Sequence, residues 1–431
     1  MSIMKDKRIQ NGWAFYDWAN SVHSLVITTA IFPLYYTGIT TAADGSTTID
    51  LLGKTFENTS LINYAGAIAF LMICIITPVL SGIADFTDNK KSFLRFFCYL
   101  GAGSTSALFF FKVDGLWYGL IFYMLSLIGF WCSVVFYNSY LPLIANKEKH
   151  DSLSAKGYAL GYIGSASLLI ICLVLIMILK WEANWTFPLV ALWWILFAQV
   201  TFRRLPNKII SVKKSGSGSP LTSGFKELKW VYNQLKKTKR LKRYLTAFFV
   251  YSMGIQTVML VAVYFGEKEI TWPSPEAKTM GLIVSILIIQ FIAIGGAYTM
   301  AWASKKIGNV KTLMLTNVIW VLICISATLL TQPIHFYIEA ALVGFVMGGI
   351  QSMSRSTYAK FLPKTNDTAS FFSFFDVSEK LGIVFGLFTF GLLEELGNMR
   401  LSVGSLVIFF FIGLLLLFRV PKEEVTMELD H

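Results

Sequence analysis

The stretch Ser81-Gly82-Ile83-Ala84-Asp85-Phe86-Thr87-Asp88-Asn89-Lys90-Lys91 closes one long apolar run, and Ala301-Trp302-Ala303-Ser304-Lys305-Lys306-Ile307-Gly308-Asn309-Val310-Lys311 closes another. Asn89 and Lys91 fall in line with Asn309 and Lys311 at an offset of 220 residues. Leu141-Pro142 and Leu362-Pro363 keep nearly the same interval, 221, and so do Gly161 and Gly382. An interval held at three places marks a duplication. Both copies run in one direction, which predicts two parallel-related halves with a solute site between them near the middle of a membrane.

The runs around these stretches agree. They fall near 12–38, 61–82, 92–112, 115–145, 153–180 and 185–203, then, after a break, near 244–266, 279–304, 311–331, 334–362, 369–396 and 400–420. At about 20 residues per span, twelve spans fit a chain of 431 residues with one longer connection. The fold class expected is an all-α polytopic membrane protein. Residues 1–203 form a first six-helix bundle, 204–243 a basic linker and 244–431 a second bundle.

Composition excludes the other classes. Residues are 55% hydrophobic and 14% charged, against about 25% charged in a soluble domain, and mean hydropathy is +0.60. No disordered or ordinary soluble chain is built this way. The net charge of +12 suggests a nucleic-acid surface at first. It comes instead from one place: residues 203–243 hold thirteen Lys and Arg against Glu227 alone. Nucleic acid is therefore not an expected partner; lipid headgroups are.

Basic residues also set the orientation. With the N-terminus inside, inner segments hold 29 Lys and Arg and outer segments six. Both termini are expected in the cytoplasm of a bacterium, with no cleavable leader. The five cysteines lie singly in apolar runs and read as small buried hydrophobes.

The 81–91 stretch resembles a degraded form of the loop signature of the major facilitator superfamily, Gly-x-x-x-Asp-Arg-x-Gly-Arg-Lys. Asp85 and Lys90 match it, while Ser81, Phe86 and Asp88 depart from it; in the second copy Lys306 and Gly308 match. Tyr16-Asp17-Trp18-Ala19-Asn20-Ser21, Phe136-Tyr137-Asn138-Ser139-Tyr140, Gly157-Tyr158-Ala159-Leu160-Gly161-Tyr162, Gln351-Ser352-Met353-Ser354-Arg355-Ser356 and Phe371-Phe372-Ser373-Phe374-Phe375-Asp376 narrow the likeness. They resemble the branch holding the fungal autophagy-related vacuolar amino-acid effluxers and their bacterial relatives. Met253 departs from that branch, where an acid usually precedes Gly254. The resemblance implies a twelve-span transporter working by alternating access on a small polar solute, an amino acid or a related compound. It also implies that Asp85 lies at the N-terminus of the eleventh span.

Charges inside spans are costly, about 3 kcal/mol each on insertion scales, and are functional candidates by default. Asp17, Asn20 and His23 are expected to share one wall of the first span. His23 suits a proton role or is a core histidine. Arg355 should pair with Asp376 or Glu379, and Lys380 with another acid, Asp85 and Asp17 being candidates, because an unpaired buried ion is destabilising. These residues read as a static closure, as a gate, or as a solute or proton site. Glu339, in the outer part of the tenth span, is a gate or an interfacial acid. Gln256, Thr257, Gln351, Tyr137 and Asn138 line a central cavity or bond helix to helix. Gly157, Gly161 and Gly164 form a ridge for close packing.

No Walker motif, His-Glu-x-x-His or Cys-x-x-Cys occurs, so neither ATP drive, a metal nor a cofactor is expected. An enzyme is not expected either. A monomer is, with protons as coupling partner. Export of drug-like or cell-wall-derived compounds, and a non-transporting sensor or scaffold docking through 203–243, stay open.

Overall fold

A computed structural model describes residues 6–42, 44, 46–51, 53–208, 220–396 and 398–422. The apolar runs become long helices because a backbone in lipid must satisfy its own hydrogen bonds. The first to fourth spans are Lys7–Thr40, Asn58–Thr87, Lys90–Phe110 and Val113–Ile144. Lys147–Ile178 and Ala183–Arg204 complete the first half. The second half holds the seventh to tenth spans, Lys239–Glu269, Pro275–Ile307, Asn309–Ala327 and Pro333–Phe361, and the twelfth, Met399–Phe418. These eleven are apolar enough to cross a membrane by length and composition. The eleventh span, Thr368–Leu396, is 29 residues long and carries Asp376, Glu379, Lys380, Glu394 and Glu395. Its charges are what set it apart.

Local chemistry fixes the ends. Asp6 caps the first span by accepting the Arg8 N–H. Ser274 caps the eighth by accepting the Ala277 N–H, with Pro275 just inside. The two repeat stretches both end their helix on a residue with positive φ. Asp88 ends the second span with φ +51°, and Gly308, 220 residues on, ends the eighth with φ +88°. Left-handed backbone at one repeat position suits Gly, and Asp is among the few others that tolerate it. The degraded motif therefore keeps a positive φ at this position, while ψ differs, 40° at Asp88 and 156° at Gly308.

The first span packs on the fifth and sixth, the third on the fourth and sixth, the eighth on the tenth, and the seventh on the eleventh and twelfth. Between halves, the second span meets the eleventh and the fifth meets the eighth and tenth. Glycine makes the closest approaches. A methyl at Gly161 or Gly164 would strike Ser21 or Trp18 of the first span. Large apolar side chains such as Leu34, Ile75 and Phe388 stand fully outward, as a lipid-facing surface requires.

A hairpin was not anticipated, and the helix expected in the basic stretch 225–243 begins earlier, at Pro220. A two-stranded hairpin, Thr48–Leu51 with Lys54–Glu57, joins the first two spans. Within the basic linker, Pro220–Lys237 is a helix laid along the second span. Gly82 and Gly224 touch backbone to backbone there, leaving no room for a side chain on either. Tyr232 of that helix stacks on Phe374 of the eleventh span with centroids 6.1 Å apart. Residues 209–219 of the linker, which take in most of its Lys-Lys-Ser-Gly-Ser-Gly-Ser-Pro stretch at 213–220, lie outside the described residues.

Candidate functional site

The seam between the halves is sewn by polar groups at the end that carries residues 6 and 422, called here the basic end. Three contacts build it.

The innermost centres on Arg355 of the tenth span. Its Nε donates to Ser154 Oγ at 2.9 Å and one Nη to the Ser154 carbonyl at 2.9 Å. Both Nη atoms donate to Asp17 Oδ2 at 3.1 Å, and Nη1 also reaches Asn138 Oδ1 at 3.2 Å. All five donors of the guanidinium are thus used, and every acceptor belongs to the first half. Tyr137 donates its hydroxyl to the same Asp17 oxygen at 2.8 Å. Tyr137 is itself stacked on Trp13 at 4.6 Å. The Tyr158 ring lies 4.2 Å from the guanidinium, a cation–π seat. Gly157 leaves the space: a Cβ there would collide with Asp17, Arg355 and Tyr137. Ser154 donates to the Ser352 carbonyl at 2.8 Å beside it.

The other two contacts occupy equivalent seats in the two halves. In one, Asp85 at the end of the second span accepts the Ala369 and Ser370 N–H groups at 3.2 and 2.7 Å. Exposed N–H groups and the helix dipole at the start of the eleventh span favour that acid. Lys90 pairs with Asp85 at 2.6 Å and donates to the Asn366 carbonyl at 3.0 Å. In the other, the acid sits on the helix and the donors on the turn. Asp151 of the fifth span accepts from Ser304 at 2.7 Å, from Asn309 at 2.7 Å and from Lys360. Asn309 Oδ1 takes a second Lys360 proton at 2.8 Å.

Outward of Arg355, one helical turn on, Tyr162 donates to Gln351 at 2.6 Å and Gln351 reaches Met259 Sδ at 3.3 Å. Ser165 and Gln290 meet at 3.3 Å near the middle of the fifth and eighth spans. Within the second half, Gln256 of the seventh span donates to Glu379 of the eleventh at 2.8 Å.

Several expected pairings are corrected. Arg355 takes Asp17 and neither Asp376 nor Glu379, because it projects from the tenth span into the first half. Lys380 takes neither Asp85 nor Asp17. Its ammonium folds back on its own helix, 3.0 Å from Asp376 and 2.8 Å from Glu379, and lies 3.3 Å from the Trp131 ring centre. His23 does not share a wall with Asp17: at 100° per residue, six residues carry it about 120° away. It is fully buried inside the first half, 3.2 Å from Ser126 Oγ and stacked on Phe130 at 4.9 Å. Asn20 is buried on the same helix. Thr257 is buried with its hydroxyl unpartnered beside Gly386. Glu339 accepts from Ser326 at 2.7 Å within the second half. Among the cysteines, Cys74 is part-exposed and the other four buried, all free. Reading the sequence missed Asp151 and Ser154. An acid in a first helical turn is ordinary, and the one available signal was its seat opposite the repeated turn.

Comparison with known proteins follows this geometry. The family described as "Vacuole effluxer Atg22 like" matches residues 5–429. The chain is 29% identical to the MFS-type transporter YxiO of Bacillus subtilis, over 97% of this chain and 96% of that one. It is 22% identical to autophagy-related protein 22 of Yarrowia lipolytica, over 89% of this chain and 79% of that one. Among solved structures, the major facilitator transporter FucP in its outward conformation superposes with a TM-score of 0.71 at 13% identity, over 98% of this chain and all of that one. A bacterial homologue of ferroportin in an outward-facing state gives 0.67 at 11% identity, over 96% and 99% of the two chains.

Proposed function

The chain belongs to the vacuole effluxer Atg22-like family of the major facilitator superfamily, and on that premise we propose that it is a secondary active transporter for an amino acid or a related small polar solute, coupled to protons. Its two halves rock about a site between them, and the basic end faces the cytoplasm of a bacterium. The Arg355 latch carries this reading. A guanidinium from one half that spends every donor on the other is the kind of contact an alternating-access cycle must make and break, since packed interfaces switch between discrete arrangements. The seam offers polar groups just outward of the latch, Gln351, Tyr162, Gln256 and Glu379, where a zwitterionic solute finds both donors and acceptors.

Counterflow in proteoliposomes tests it. Labelled amino acids should exchange across the membrane, and an inward pH gradient should drive their accumulation. Exchange of drug-like or cell-wall-derived compounds, with none of amino acids, replaces the solute class. No exchange of any of them overturns transport.

A further inference from the structure

Three of the buried acids inside the spans are balanced one to one: Asp17 by Arg355, Asp85 by Lys90 and Asp151 by Lys360. The eleventh span breaks the pattern. Asp376 and Glu379 share a single ammonium, that of Lys380. Lys380 is fully buried and the Asp376 side chain 5% exposed. Two carboxylates and one ammonium leave one uncompensated negative charge beside a buried carboxylate, Asp376, and a buried ammonium. An unmatched charge in such surroundings is met by a cation or not tolerated.

The hydrogen bonds show where that cation belongs. Lys380 spends its donors on Asp376, on Glu379 and on the face of Trp131. Glu379 gives its other oxygen to Gln256 at 2.8 Å. Asp376 Oδ2 is left buried with no partner. A metal cation wants a shell of several oxygens. Here one free oxygen sits beside an ammonium, and only a proton fits. Among the described residues, the other titratable groups that face the pair are Cys74 on the second span, Cys132 on the fourth, Tyr158 on the fifth and Tyr251 on the seventh. All four are neutral near pH 7 by their ordinary values, so none supplies the missing charge. Among the described residues Glu339 also has no cation beside it, but its partner Ser326 lies in its own half. The Asp376 cluster instead reaches across the seam, because Trp131 belongs to the first half and Lys380 to the second.

We propose that Asp376, Glu379 and Lys380 form a proton-binding site that takes one proton at Asp376 Oδ2 and so controls how Lys380 grips Trp131 across the seam. As the coupling site of a transport cycle it rests on the reading above; as a proton site it stands alone. With Asp376 neutral, the ammonium is held by Glu379 and the ring only.

Infrared difference spectra of the full chain in liposomes, recorded between about pH 5 and pH 8, read the carbonyl stretch of a protonated carboxyl without any solute. The expected result is one such band that Glu339→Gln retains. Asp376→Asn and Glu379→Gln should each abolish it, because removing either acid leaves a neutral pair. The Glu379 variant alters a side chain that is 20% exposed, so it provides a second route if the Asp376 variant fails to fold. Survival of the band in either variant, or no band besides that of Glu339, overturns the proposal. Since no transport is needed to see the band, its failure and a failure of the transporter reading are separate results.

Discussion

Asp17 and Arg355 lie 338 residues apart in the chain and are joined at 3.1 Å across the seam between the two halves. The pair is buried and charge-assisted, with donors to spare for Ser154 and Asn138. Breaking such a pair from one side costs about 3–5 kcal/mol, mostly through the ion left behind.

Arg355→Lys should therefore not be conservative. An ammonium has three donors in place of five and no planar fork. Closure of the basic end should weaken by at least about tenfold, the effect of about 1.4 kcal/mol. Maleimide labelling of a single cysteine placed at Ser352, in a chain stripped of its own five cysteines, reads this from the basic side. Labelling as slow as in the parent would show that the latch does not hold the seam.

Asp85→Ala removes the acceptor for two helix N-terminal N–H groups and leaves Lys90 with the Asn366 carbonyl but without its carboxylate. Loss of a cap costs about 1 kcal/mol. The open population at the basic end should rise roughly fivefold to tenfold, measurable as a distance change between spin labels on the second and eleventh spans. Asp151→Ala, in the equivalent seat, should shift the fifth and eighth spans in the same way.

Gly157→Ala should harm function more than its single methyl suggests. The new Cβ meets the Asp17 carboxylate and the Arg355 guanidinium. Gly295→Ala is the control: nothing lies within 4 Å of its Cβ position, and Ala is favoured over Gly in a helix by about 1 kcal/mol. Thermal unfolding should fall for the first and stay level or rise for the second.

His23→Phe should be tolerated. The ring stack on Phe130 survives, and only the contact to Ser126 is lost, about 1 kcal/mol for a buried neutral bond. Solute flux should keep its pH profile. A flattened profile would restore the proton role that the sequence alone left open.

The fold was legible because its signals are one-dimensional. Apolar run length gives the spans, and the interval from Asn89 to Asn309 gives the duplication, beside which Asp88 and Gly308 both take a positive φ. The site was legible only in part. Sequence fixes how deep Arg355, Asp376 and Lys380 sit along their helices, and that depth grouped them correctly as interior charges. It does not fix which way a helix is turned against a neighbour hundreds of residues away. Arg355 therefore found Asp17, and Lys380 closed on residues one and four positions back. Asp151 escaped notice because its type and place look like ordinary helix capping.

The Gly82–Gly224 contact bears on how the molecule comes apart. The helix Pro220–Lys237 follows the first half in sequence and leads directly into the seventh span, yet its seat is on the second. If the chain is cut between residues 208 and 220, the second fragment keeps an arm shaped to the first. Co-expressed fragments should find each other through that arm, so the peptide bond between the halves is dispensable for assembly while Gly82 and Gly224 are not.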